Sequence, residues 1–252
     1  MPAEPIARTR SAENHHNLLL RSLRPGDAAL LRPHLRRVVL APGDIVAAAG
    51  APLERALFPE TVVVSVGDGQ EADTRPDAGM VGHDGMIGWS LLLGCPNSLL
   101  SGVVRIRPGS AVEMDAARLM HACRVSSTLH ASLLRFVDLF MRQMATTIAS
   151  SSDGVERRVA RWLLMLHDRS DADAFAVTHD HIGAALHVRR ASVTDCFHLL
   201  EGDGILKCTR GRIVIRDRTR LEHIAGSSYG LVEAQYANEI GQFGKGGSSL
   251  RC

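Results

Sequence analysis

The residues with the most telling chemistry fall between Arg189 and Arg212. Arg189 and Arg190 stand side by side, followed by Ala191, Ser192, Thr194, Asp195 and His198, and later by Arg210 and Arg212. A guanidinium presents two parallel donors that match the O6/N7 edge of guanine, and a carboxylate accepts from the cytosine amino group. A side chain as small as alanine can lie against a thymine methyl. Hydroxyls and further guanidinium groups suit phosphate oxygens, which set register without reporting sequence. The set therefore points to duplex DNA. Arg190 is expected on guanine, Asp195 on cytosine and Ala191 against thymine, with His198 facing the same groove. Arg189, Ser192, Thr194, Arg210 and Arg212 are expected on phosphates.

Those side chains need elements that aim them. Thr178 is a suitable N-cap and Asp180 suits the first turn of a short helix whose apolar positions are Ile182, Ala185 and Leu186. His187 and Val188 interrupt the pattern. A second helix follows, with Val193, Cys196, Phe197 and Leu200 at the spacing of one buried face, which leaves Ala191, Asp195 and His198 outside. Gly202 and Gly204 end it. Two β-rich runs, Ile205 to Thr209 and Ile213 to Ile215, are joined through Arg210-Gly211-Arg212 in the manner of a hairpin. Helix, tight turn, helix and basic wing in that order make a winged helix-turn-helix, in which the start of the second helix reads bases. An ordinary α/β fragment with a solvated arginine face is the plain alternative.

The run Leu186-His187-Val188-Arg189-Arg190-Ala191-Ser192-Val193-Thr194, with Gly204-Ile205-Leu206 and Arg210-Gly211-Arg212-Ile213 after it, resembles the C-terminal domain of the Crp/Fnr superfamily, most closely branches from α-proteobacteria. That family usually has glycine in the turn where this chain has His187; a non-glycine residue held at positive φ there costs roughly 1 kcal/mol. The resemblance implies an α+β protein: an N-terminal cyclic-nucleotide-binding-like antiparallel β-roll, a long dimerisation helix and the winged motif.

The rest of the chain reads in that order. With 252 residues and 45% hydrophobic content it can bury one large core or two modest ones. A net charge of +2 is too small to drive nucleic-acid binding by itself, so local arrangement must do so. Residues 1–20 read as an N-terminal arm, with Met1 to Asn14 polar and loose and the His15-His16 pair placed in it. Residues 21–125 read as the roll: after leucine-rich short helices, valine-rich runs alternate with Pro-Gly and Gly-Asp turns. Gly79, Gly82, Gly85 and Gly88 read as tight bends. Residues 126–152 form the long helix, 153–225 the DNA-binding domain and 226–252 a tail. The tail is helical through about Ile240 and, being rich in glycine and serine, disordered beyond it. The stripe Leu129, Leu133, Phe136, Val137, Phe140, Met144 and Ile148 is expected to pack against its copy in a homodimer; a helix buried wholly within its own domain is the alternative.

In cyclic-nucleotide-binding members of the family a Gly-Glu pair holds the ribose and a downstream arginine neutralises the phosphate. Here Trp89 follows Gly88, and Asn97 to Gly102 carries no arginine, so cyclic AMP is not expected and no effector residues are assigned. Five scattered cysteines, Cys95, Cys123, Cys196, Cys208 and Cys252, show no metal-ligand or disulfide spacing. Cys196 and Cys208 read as small buried hydrophobes, while Cys95 and Cys123 are candidate redox sensors, Cys123 because Arg124 adjoins it. No cofactor or metal is implied, and a reduced, cytoplasmic setting without membrane spans is expected. Activation of transcription would further require a surface for RNA polymerase, which no patch marks. Two rival functions remain. An enzyme would start from His179-Asp180-His181, but residues two apart do not share a helix face and no nucleophile with an orienting base accompanies them. A ligand-sensing or scaffolding module without DNA binding would leave the arginine face without an anionic partner.

Overall fold

The computed structural model describes residues 8–10, 15–68, 76–170, 173–209 and 212–245. Strand β1 (Arg8–Arg10) precedes two short helices, α1 (Leu18–Arg21) and α2 (Pro25–Leu31). Seven strands follow: β2 (Arg36–Leu40), β3 (Ile45–Ala47), β4 (Arg55–Pro59), β5 (Val64–Gly67), β6 (Asp77–Val81), β7 (Ser101–Val104) and β8 (Gly109–Asp115). They pair antiparallel into two four-stranded sheets, ordered β1-β2-β8-β4 and β3-β7-β5-β6. Val38, Phe58, Val64, Val66, Val104 and Val112 fill the interior. These β-branched and aromatic residues are the ones that fit a pleated, half-buried surface.

The N-terminal segment is more firmly held than its polarity implies. Asn17 is fully buried; its amide donates to Pro59 O and Gly85 O, both at 2.8 Å, while its carbonyl caps α1. The His16 N–H and Arg37 bond to the buried Glu60 carboxylate. Burial alone would raise the Glu60 pKa, but His15, Arg37 and the His16 amide together hold it at about 2. His15 and His16 therefore belong to the roll, which corrects their placement in a loose arm. Residues 1–7 and 11–14 of that arm lie outside the described residues.

Helix α3 (Ala116–Val125) leads into α4 (Ser127–Ala149), which is capped by Ser126. The expected subunit stripe on α4 needs correction. Leu129, Leu133, Phe136, Val137 and Phe140 are all 2% exposed or less within the chain's own core, and Met144 packs against it. A helix lying across a roll buries its widest apolar stripe on the nearest apolar surface, which here is its own sheet. Of the seven expected residues only Ile148, 70% exposed, faces outward.

The roll's glycines explain how α4 comes so close. A Cβ on Gly85 would lie 2.0 Å from the Phe136 ring, and one on Gly79 would lie 2.9 Å from Phe140. Gly82 gives the same room to Arg169. Gly88 alone among these four has a positive φ, so the other three supply clearance, not bends. Phe136 stacks on Phe140 with centroids 5.9 Å apart, and Trp89 tilts against Phe140 at 5.8 Å, so aromatic rings fill the interior beside the Gly82 to Gly88 loop. Cys123 is buried, and burial pushes its thiol up to about 11 in spite of Arg124, which removes it from the redox candidates.

A second core fills the C-terminal region and takes in Val63 and Met80 of the roll. Helix α5 (Val155–Asp168) forms its back wall; β9 (Ala174–Phe175) joins the later hairpin, and α8 (Arg218–Ala225) packs on α5. Helix α9 (Leu231–Glu239) then folds back against α4. The Tyr236 hydroxyl donates to Asp84 O, and Phe243 lies 4.8 Å from the Tyr236 ring and beneath the Arg169 guanidinium. Arg169 in turn donates to Asp84 Oδ2 at 2.6 Å, with both side chains almost wholly buried. Lys245 reaches Asp173 and Asp168. Residues 241–245, expected to be disordered, are thus packed in place; residues 246–252 lie outside the described residues. No helix among the described residues is long and apolar enough to cross a membrane.

Candidate nucleic-acid interface

Helix α6 (His179–Leu186) starts at the Thr178 side chain, which accepts from the His181 N–H. It stops at His187, whose φ of 50° and ψ of 51° make it the one described non-glycine residue in the left-handed region. The His187 N–H bonds back to Ala184 O at 3.1 Å and the Val188 N–H to Gly183 O at 2.9 Å. A Cβ at Gly183 would sit 3.0 Å from the Val188 carbonyl, so the turn closes against a residue without a side chain. His187 carries the conformational cost that glycine usually spares the family.

The turn delivers α7 (Arg190–Gly202), whose inward face is Val193, Cys196, Phe197 and Leu200, each 5% exposed or less. Burial pushes the Cys196 and Cys208 thiols up to about 12 and 11; Cys196 is a buried core position as expected, whereas Cys208 is only partly buried. On the other side Arg189, Arg190, Ala191, Asp195 and His198 are exposed, and Ser192 is half-buried. Arg190 lies 3.4 Å from Asp180, an ion pair more than 60% exposed at both ends. Such a pair contributes about 0 to 1 kcal/mol.

Thr194 behaves differently from its expected role. Its hydroxyl donates to Arg190 O at 3.1 Å, and His179 Nδ1 lies 2.9 Å from Thr194 Oγ1. With the hydroxyl proton committed to the helix, His179 must be the donor of that second bond. Thr194 is thereby removed from the phosphate contacts and ties α6 to α7. The His179 ring also tilts over Phe197 at 4.7 Å, and burial, with the charge of Arg190, lowers its pKa. Of the polar cluster that superficially suggested an acid–base site, His179 packs one helix on the other, while Asp180 and His181 are exposed. Sequence reasoning missed this role; the spacing of His179 and Thr194, on different helices, gives no local signal for it.

The wing is β10 (Leu206–Thr209) and β11 (Arg212–Ile215), antiparallel with Thr209 opposite Arg212. Strand β9 adds a third strand to it. Arg212 is exposed; Arg210 and Gly211 lie outside the described residues. Glu201 Oε1 accepts from the Cys208 N–H at 2.9 Å, fastening the wing to α7. A second fastening was not foreseen: the Arg158 guanidinium of α5 donates to Leu186 O, the last carbonyl of α6, where a cation complements the helix end.

Residues 157–224 match the Crp-like helix-turn-helix domain. No curated protein sequence gives a significant match. Among solved structures, the chain is similar to a protein described as a transcriptional regulator of the Crp/Fnr family from Eubacterium rectale. That match has a TM-score of 0.63 and 16% identity, covering 82% of this chain and 97% of the other. FixK2 from Bradyrhizobium japonicum gives a TM-score of 0.64 at 17% identity, with 76% and 97% covered. The c-di-GMP responsive regulator CLP of Xanthomonas campestris gives 0.60 at 15% identity, with 76% and 99% covered.

Proposed function

We propose that this chain, a Crp/Fnr-type transcriptional regulator by its fold and its Crp-like helix-turn-helix domain, binds inverted-repeat operators as a homodimer. The observation that carries this reading is the sorting of α7 into a sealed face and an open one. Val193, Phe197 and Leu200 hold the helix rigidly, and Arg189, Arg190, Asp195 and His198 stand free on the opposite side. In this reading Arg190 reads guanine, Asp195 accepts from cytosine and Ala191 meets a thymine methyl. Arg189, Ser192, Arg210 and Arg212 hold phosphates.

For the dimer, the outward face of α4 replaces the expected stripe. Ala131, Leu134, Asp138, Met141, Ala145 and Ile148 recur at alternating spacings of three and four, the period of a coiled-coil seam, and all are exposed or half-exposed. The Asp138–Arg142 pair, at 2.7 Å, flanks its centre. The effector is unassigned. The aromatic filling of the roll beside Gly82 to Gly88, and the absence of arginine from Asn97 to Gly102, support a sensor that does not take cyclic AMP in the family's manner.

Selection of bound duplexes from a random pool should return an inverted repeat with half-sites about one helical turn apart. Fluorescence anisotropy should then show Arg190→Ala losing on the order of 1–3 kcal/mol at one base step only. Equal weakening on every sequence would demote Arg190 to a phosphate contact. Met141→Glu should convert the dimer to a monomer in sedimentation; a wild-type monomer without palindromic preference overturns the reading.

A further inference from the structure

A cavity of about 600 Å³ lies where the roll meets the DNA-binding region, bounded by β6, the end of α4, α5 and the end of α6. Its size is that of a site for a small organic molecule. Met80, Leu100, Met165 and Leu186 give it an apolar wall. Its polar lining includes the donors Arg158, Arg161 and Trp162. Arg161 is 7% exposed and its guanidinium reaches only carbonyls, Ser228 O at 2.8 Å and Gln143 O at 3.3 Å. Arg158 reaches Leu186 O. Among the described residues neither arginine has a carboxylate within ion-pair distance. Trp162 is 6% exposed, and its indole Nε1 closes no hydrogen bond although it is turned toward Asp77. Two carboxyls also line it: Asp68, and Asp77, which bonds Ser65 at 2.8 Å and lies 3.9 Å from Arg105.

A buried cation bonded only to carbonyls, a half-buried one three residues earlier, and a buried donor that closes no hydrogen bond are costly features that a bound anion would offset. The apolar wall limits that anion to a single charged head on a hydrocarbon body, because a multiply charged phosphate would meet Asp77 and leave the wall bare. We infer that this cavity binds an amphipathic carboxylate of the fatty-acid class, its head on Arg158 and Arg161 and its chain along Met80, Met165 and Leu186. Binding there bears on DNA recognition directly. The carboxylate competes with Leu186 O for Arg158, which uncaps the C-terminus of α6 one residue before the His187 turn that aims α7. This regulatory consequence rests on the DNA-binding reading above; the binding itself does not.

The test is calorimetric titration of the full-length protein with decanoate, without DNA, followed by operator anisotropy with and without decanoate. Saturable binding is expected, weakened at least about ten-fold for decanol, which lacks the charge, and about ten-fold or more by Arg158→Gln. Ala78→Phe keeps every polar group and fills the cavity; it should abolish binding while leaving the melting temperature near that of the wild type. Absence of saturable binding up to millimolar decanoate overturns the inference, as does equal affinity for decanol or indifference to Ala78→Phe. If decanoate binds at the cavity and operator affinity does not change, the site stands and the coupling falls. If no operator binds under any condition while decanoate does, it is the DNA-binding reading that fails.

Discussion

The open face of α7 and the junction between roll and DNA-binding region treat charged side chains in opposite ways. On α7, Arg190 rests on Asp180 in a pair more than 60% exposed at both ends, and Asp195 and His198 face solvent. At the junction, Arg169 and Asp84 meet at 2.6 Å with less than 5% of either side chain exposed, roofed by Phe243. The first arrangement is cheap to open, since water solvates the separated charges as well as the pair does. The second is not, because removing one partner strands the other in an apolar setting. The face proposed to receive DNA keeps its charges loosely held. A surface that must keep two folding units in register buries them.

That contrast can be broken at its strong end first. Asp84→Ala is expected to destabilise the chain by about 3–5 kcal/mol in urea unfolding. Asp84→Ala combined with Arg169→Met should recover most of the loss, because the stranded charge goes with its partner. No recovery would mean that Asp84 acts through the loop, where its Oδ1 accepts from the Gly82 N–H.

A pH experiment sharpens the comparison next. Burial holds the Asp77 carboxyl up at about 6, against the opposing pull of Arg105 and the Ser65 hydroxyl. A folded-state pKa above the unfolded value means that the native state takes up a proton first. This group's contribution to stability therefore rises as pH falls from about 6 toward about 4 and is lost again as pH rises through 6. Asp77→Asn should remove that component, worth on the order of 1–3 kcal/mol between those limits. The wild-type-minus-variant stability difference across pH is the quantity to follow, since His167, whose pKa burial lowers, contributes with the opposite sign in both proteins.

Two smaller effects test the loose end. His187→Gly should gain up to about 1 kcal/mol by relieving the left-handed turn, less whatever the added chain entropy of glycine takes back. Asp180→Ala should alter stability by under about 1 kcal/mol while leaving operator affinity equal or tighter, since it frees Arg190. A large loss of stability from Asp180→Ala would show that the exposed pair is structural, and the contrast drawn above would fail.

The order of helices, turn and hairpin in the winged motif was legible in the sequence. The stripe Val193, Cys196, Phe197 and Leu200, the Thr178 cap, the turn at His187 and the hairpin around Arg210-Gly211 all depend on neighbours a few positions apart, and periodicity exposes such neighbours. The roll's strands were legible for the same reason. Other features were not. The apolar stripe of α4 was correctly found and given the wrong partner: a helical period shows that a face is buried, never what buries it. Thr194 was read as a free hydroxyl because its partner His179 comes from the preceding helix, across the turn.

By itself the sequence determined which segments become helix or strand and which face of each turns inward, because backbone propensity and side-chain spacing act over one or two turns. It also determined the kind of chemistry α7 presents. Only the tertiary structure decided what those inward faces meet. The Asp84–Arg169 pair joins residues 85 positions apart and Tyr236 reaches Asp84 across 152. Contacts at such separations arise from the packing of whole elements, where shape and buried charge must be satisfied together, and no local pattern records them.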